Sequence, residues 1–236
     1  MYKRQGYYGL LFDYGSNTVS GAAGSGEYDS YSLGLYAGNK NKPGSITGFV
    51  SYGLQANKGT AYLPVLGQTA ESGYDSKTLG IGVEYAYDLD YGKPEELWHV
   101  SPYARLNFTH YRQKAFREHG AGVFDRSFGS YSDNYAEGEL GLSFDRSEGT
   151  GGYGIRLGYK RILAGERQLM EVCFAEDECG SLLPVRSWGE GRNHFVAAAY
   201  VRHDFSRKWS AGGSLSGDWS NGGREIGARL DLAYHF

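Results

Sequence analysis

The sequence predicts an all-β fold: an antiparallel transmembrane β-barrel of about ten strands, with short turns at one end and long loops at the other. Three observations predict it. Apolar and polar residues alternate with period two along most of the chain. The stretches between alternating runs are long and short by turns. Aromatic residues and glycine are heavily used, with 21 Tyr, 4 Trp and 37 Gly in 236 residues. A period of two sends successive side chains to opposite faces of a strand. Mean hydropathy is only −0.51, and no apolar run approaches the roughly 18–20 residues of a membrane helix. A transmembrane barrel escapes that test, because only alternate residues meet lipid.

The elements follow in chain order. "YYGLLFDYG" sets Tyr8, Leu10, Phe12 and Tyr14 on one face. "YSLGLYAG" does the same with Tyr31, Leu33, Leu35 and Ala37, and "SITGFVSYGLQ" with Ile46, Val50, Tyr52 and Leu54. "TLGIGVEYAYDL" is the clearest run, with Leu79, Ile81, Val83, Tyr85, Tyr87 and Leu89 opposed to Gly80, Gly82, Glu84, Ala86 and Asp88. "VSPYARLNF" opposes Val100, Ala104, Leu106 and Phe108 to Tyr103, Arg105 and Asn107. "EGELGLSFD" opposes Leu140, Leu142 and Phe144 to Glu137, Glu139 and Asp145, and "YGIRLGYK" opposes Tyr153, Ile155, Leu157 and Tyr159 to Arg156 and Lys160. "FVAAAYVRHDF" is weaker, and "WSAGGSLSGDW" opposes Trp209, Ala211, Leu215 and Trp219 to Ser210, Ser214, Ser216 and Asp218. The tail "REIGARLDLAYHF" alternates to its last residue. Each strand is read at about ten residues, the length that crosses a bilayer at a tilt.

Between strands, "SNTVSGAAGSGE", "NKGTAYLPVLGQTAESG", "RQKAFREHGAGVFDRSFGSYSDN" and "AGERQLMEVCFAEDECGSLLPVRSWGEGRN" read as long loops. "NKNKPG", "YGKPEE", "RSEGTG" and "SRK" read as short turns, and the last hairpin at "SNGG" is the exception to the rule. Outer-membrane barrels keep their short turns in the periplasm, so the C-terminus is expected there. A soluble sandwich or small barrel would instead bury the apolar rows. Two features favour the membrane. Glycines lie on the polar face, at Gly34, Gly53, Gly80, Gly82, Gly141, Gly158 and Gly227, as a tight lumen would want. Aromatic residues end the apolar rows, at Tyr14, Tyr87, Trp209, Trp219, Tyr234 and Phe236, as interfacial girdles do.

A net charge of −3 excludes the basic field of a nucleic-acid partner. The start "MYKRQGYYGL" has no apolar signal-peptide core, so the protein is either intracellular or the downstream part of a secreted precursor. Cys173 and Cys179 in "CFAEDEC" suit a disulfide in an oxidising compartment; two free thiols and a carboxylate-assisted metal site are the alternatives. The six histidines are scattered with no metal spacing, and no cofactor motif is found. "GSLSG" has Leu215 where a nucleophile elbow needs serine.

With these features in place, the chain resembles the C-terminal β-domain of bacterial autotransporters, the type V secretion family. The likeness rests on the ending with Leu232, Tyr234 and terminal Phe236, on the Pro-Tyr-Ala opening of "VSPYARLNFTHYRQKAF", and on the closing hairpin from Trp209. It extends over 1–236 as a pattern more than as strict motifs. The resemblance implies a monomeric outer-membrane barrel without cofactor or catalytic chemistry, which supports export of an upstream passenger. It implies that Leu232, Tyr234 and Phe236 are read by the barrel-assembly machinery. Family barrels have twelve strands and a helix through the lumen. Ten strands and no helix are read here, so the passenger, the helix and two strands are expected before Met1. The predicted lumenal face carries Glu84, Arg105, Glu137, Glu139, Asp145, Arg156 and Arg229.

Three other functions bear on the reading. A stand-alone small porin or surface structural barrel would put its working part in the long loops. An omptin-like outer-membrane protease would match the strand count, but His203 and Asp204 are sequence neighbours on opposite faces. Self-cleavage of a passenger by lumenal carboxylates competes with the plainer reading of a charge-paired, hydrated lumen.

Overall fold

Alternation along the chain becomes one long antiparallel sheet. The computed structural model describes residues 5–21, 24–41, 43–91, 98–148, 150–165, 169–174, 183–186, 191–206 and 208–234. Ten long strands form the sheet in sequence order: β1 (Gln5–Gly21), β2 (Gly24–Asn41), β3 (Gly44–Leu63), β4 (Gln68–Tyr87), β6 (Trp98–Gln113), β9 (Tyr131–Glu148), β10 (Gly151–Ala164), β13 (Asn193–Asp204), β14 (Trp209–Ser220) and β15 (Arg224–Tyr234). The short β5 (Leu89–Tyr91) continues the line of β4 along β6. A second, four-stranded sheet pairs β12 (Leu183–Arg186), β11 (Leu169–Phe174), β8 (Arg126–Phe128) and β7 (Phe116–Arg117). A single 3-10 turn, Gly122–Phe124, is the only helical element among the described residues.

Strand length departs from the sequence reading. β3 and β4 each run 20 residues and β2 runs 18, while β13, β14 and β15 run 12, 12 and 11. Most of the described residues in the first two stretches read as long loops are strand. β1 and β2 stay in register to Gly21 and Gly24, and β3 and β4 to Leu63 and Gln68. The physical reason is that the apolar row ends with the bilayer, whereas backbone pairing continues wherever Ser, Thr, Gly and Lys keep the period. About ten residues suffice to span, so β3 and β4 overhang by roughly 25–30 Å at the long-loop end. The sheet is therefore a tall wall on one side and a low one on the other.

The two faces differ as an inside-out protein requires. Outward residues are open, with Leu10 72%, Leu140 64% and Leu230 91% exposed. Aromatic pairs border this band. Tyr14 and Tyr31 (5.0 Å) and Phe195 and Trp219 (6.0 Å) lie toward the long-loop end, and Trp98 and Tyr153 (6.2 Å) toward the short turns.

The tail keeps its alternation, with β15 in register on β14 from Trp209↔Tyr234 to Trp219↔Arg224. Leu232 faces outward and is exposed; the Tyr234 side chain and Phe236 lie outside the described residues. Pairing of the tail with the first strand is not found: among the described residues β15 bonds only to β14 and β1 only to β2. Ten strands at this curl leave the two edges apart.

A charge placed on the outward face tests this assignment. Leu157→Arg is expected to cost about 2–4 kcal/mol at mid-membrane, read as lost heat-modifiable folding in liposomes. Folding equal to that of the native chain would contradict the assignment.

Candidate functional site

On the opposite face, cross-strand register sets charges of alternating sign side by side from β4 to β10. Glu84 on β4 faces Arg105 on β6, which faces Glu139 on β9, which faces Lys160 on β10; His194 on β13 follows in the same row. Glu84 Oε2 accepts from Arg105 Nη2 at 2.6 Å and Nε at 2.8 Å, and from Arg156 Nη2 at 2.6 Å. Arg156 belongs to β10, three strands from β4. In a flat sheet three strand spacings amount to about 14 Å. A guanidinium and a carboxylate meet across that gap because the sheet curls, and this face is its concave side, the lumen.

Glu139 completes the lattice. Its Oε2 lies 3.9 Å from Arg105 Nη1 and its Oε1 3.8 Å from Arg156 Nε. Tyr103 Oη donates to Glu139 Oε1 at 2.5 Å, and the Arg156 guanidinium sits 3.5 Å from the Tyr103 ring centroid. Half-buried carboxylates with this many charged donors are held firmly, since ion-assisted hydrogen bonds are the strong ones.

Tyr103 also explains two glycines. Its ring lies over Gly141 and Gly158, which face it in one cross-strand row. A Cβ on Gly158 would fall 2.5 Å from Tyr103 Oη and 2.9 Å from Glu139 Oε1. Phe49 over Gly82, Tyr7 over Gly38 and Tyr200 over Gly154 repeat the arrangement. The glycines at these positions are sockets for aromatic rings, whereas Gly53, Gly80 and Gly227 face the hydroxyls of Thr78, Ser51 and Ser216. Tyr103, only 5% exposed, was not singled out from sequence; the signal was a ring on the polar face with glycine on the next two strands.

Toward the long-loop end lies a second group. Lys160 bonds Asp218 and lies 3.8 Å from Glu137, which accepts from Asn107 Nδ2 at 2.8 Å. His194, 4% exposed, has Nδ1 2.7 Å from Asp218 Oδ1 and Nε2 3.2 Å from the Gly191 carbonyl. Both ring nitrogens of His194 thus face oxygens of the protein itself. Among the described residues no cluster of His, Cys, Asp and Glu could hold a metal ion. Asp145, predicted lumenal with the others, sits apart near the short turns and accepts from Ser143 at 2.6 Å. Arg229 is exposed on β15 and joins none of these contacts. His203 packs on Phe205 at 5.1 Å while Asp204 accepts from Arg202 at 3.0 Å, so the two neighbours point apart. Cys173 is buried on β11; Cys179 lies outside the described residues.

Beside the lattice runs a groove of about 360 Å³. Arg105, Glu139 and Arg156 line one flank and Asp218 and Glu225 the other, over small side chains at Ala198, Ser216 and Gly227.

The lattice predicts strong coupling. In a double-mutant cycle on urea unfolding, Glu84→Ala and Arg156→Ala are expected to couple by about 0.5–3 kcal/mol, and Gly158→Ala to destabilise by displacing Tyr103. Additive effects would contradict a direct contact between β4 and β10.

Comparison with known proteins agrees with this architecture. No curated protein matches the sequence. The translocator domain of the autotransporter NalP from Neisseria meningitidis superposes with a TM-score of 0.77 at 18% identity, covering 98% of this chain and 74% of that one. The transport unit of the autotransporter AIDA-I from Escherichia coli gives a TM-score of 0.49 at 12% identity, covering 99% and 83%. At these identities the NalP likeness bears on fold alone. A family profile described as the autotransporter beta-domain matches residues 3–216, and with so much of the sequence matched, this chain belongs to the autotransporter β-domain family of outer-membrane barrels.

Proposed function

We propose that this domain is a translocator: it anchors in the outer membrane and supports export of an upstream segment through or along its lumen. The observation that carries the reading is the groove bordered by Arg105, Glu139 and Arg156 on one flank and by Asp218 and Glu225 on the other. Charges on both flanks suit a polypeptide, whose backbone amides need donors and acceptors alike. Small residues at Ala198, Ser216 and Gly227 leave it room.

Three further parts belong to this reading. The long-loop end faces outward and the C-terminus faces the periplasm, as the asymmetry of turns and loops in outer-membrane barrels supports. Leu232, Tyr234 and Phe236 are the signal read by the assembly machinery. The free edges of β1 and β15 are paired in the membrane by additional strands, because lipid does not satisfy open backbone groups; the resulting barrel works as a monomer. The domain contributes no catalytic step. Glu84, Arg105, Glu139 and Arg156 are engaged with one another, which suits a hydrated wall.

An epitope in the segment upstream of Met1 tests export on intact cells producing the full-length protein. Antibody is expected to reach it, and protease to clip the 64–67 turn while sparing the Phe205–Trp209 turn. An epitope that stays inaccessible in a folded, membrane-inserted protein would contradict export, and the stand-alone barrel would replace it. Clipping at Phe205–Trp209 alone would reverse the topology.

A further inference from the structure

Burial is distributed unevenly in this protein. More than half of the buried residues among those described lie at the long-loop end, with Ala70, Ser76, Gln113, Glu118, Ala121 and Val172 among them. They belong to segment 114–130, to β11, or to the wall these pack against. The tip of the tall hairpin, beyond the reach of the small sheet, is open by comparison: Val65, at the β3–β4 turn, is 97% exposed.

Parity fixes the side on which this segment lies. Tyr74 and Ser76 share a face with Glu84 along an unbroken β4, and Gln113 shares a face with Arg105 along β6. Both rows are lumenal. Phe116 stacks on Tyr74 with centroids 4.3 Å apart, and Phe128 stacks on Phe116 at 4.4 Å. Met170 on β11 contacts Gln113. The small sheet thus sits on the concave side of the wall, above the charge lattice.

The segment is braced within itself. Both Glu118 oxygens grip Arg126, at 2.6 Å to Nη2 and 2.7 Å to Nε, and this carboxylate holds the guanidinium above its ordinary pKa. Asp125 accepts from the Ala121 N–H at 2.8 Å. β8 pairs with β11 over three residues. Attachment to the wall is concentrated in few places. It includes the Glu71–His119 backbone bridge, bonded both ways at 2.8 Å, the Lys114 N–H to the Asp75 carbonyl at 3.1 Å, the exposed Lys114–Asp75 ion pair, the Tyr74–Phe116 stack and the Met170–Gln113 contact.

We propose that segment 114–130, backed by β11, is a gate seated in the long-loop mouth of the lumen, which unseats as a unit to let a polypeptide leave by that end. The gate rests on the export reading for its purpose, though its effect on the lumen is measurable without it. Internal bracing by Glu118, Arg126 and Asp125 lets the part stay folded when the few contacts of the seat break.

Glu71→Cys with His119→Cys locks the seat. The full-length protein carrying both is reconstituted in planar bilayers, with heat-modifiable mobility checked in both redox states and the native chain under reductant as control. Reduction is expected to raise the open probability of the locked variant at least about tenfold, and Phe116→Ala to raise it without reductant. Equal conductance in both redox states, with folding intact, overturns the gate. On cells, the oxidised variant is expected to display the upstream epitope at least about tenfold less than the reduced one. If the native chain displays no epitope while the bilayer effect persists, the export reading fails and the gate stands.

Discussion

One carboxylate, Glu84, accepts from two guanidiniums that belong to different strands, Arg105 on the next strand and Arg156 three strands away. That double contact exists only if the sheet curls toward its polar face. Charges in a half-wet interior are costly to leave alone, so each side chain is drawn toward its opposite. Curvature brings the opposites within reach. Tyr103, seated over Gly141 and Gly158, fills the inside of the bend and hands its hydroxyl to Glu139. Removing glycine there would leave the ring no seat.

The outward face supplies the complementary constraint. Leucine, isoleucine, valine and aromatic rings stand exposed along every strand of the main sheet, an arrangement that water disfavours and hydrocarbon favours. Lipid permits only a sheet whose backbone groups are all paired. Together the two faces force a single reading of each strand, because a one-residue slip would send the charges into lipid. The uneven strand lengths then distribute function: the low wall of β13–β15 borders the groove, while the tall wall of β3–β6 supports the small sheet above it.

How much of this was legible follows from what period two encodes. It encodes the face, so Glu84, Arg105, Glu137, Glu139 and Arg156 were assigned to the lumen from sequence, and all lie on the concave side. It does not encode height or strand position. Asp145 and Arg229 share the parity of the lattice, yet one sits near the short turns and the other on the last strand. Strand ends were misjudged because apolar alternation stops at the bilayer edge, while Ser, Thr and Gly continue the pairing to Gly21 and Leu63. The small sheet was hidden for a related reason. Its strands are two to six residues long, too short for a period to be read. Period two puts Tyr103 on the polar face but does not encode its contacts with Gly158 and Glu139, and a scattered His194 gives no sign of Asp218, because these neighbours are distant in sequence.

The central claim is that adjacent residues of one strand alternate between lipid and a wet, charged lumen. Spin labels placed singly at positions 211–216 of β14, in the protein reconstituted in liposomes, test it most directly. Collision with oxygen, which dissolves in lipid, is expected to peak at positions 211, 213 and 215. Collision with a water-soluble nickel chelate is expected to peak at 212, 214 and 216. A profile with no period of two, or with the two reagents peaking at the same positions, would contradict it.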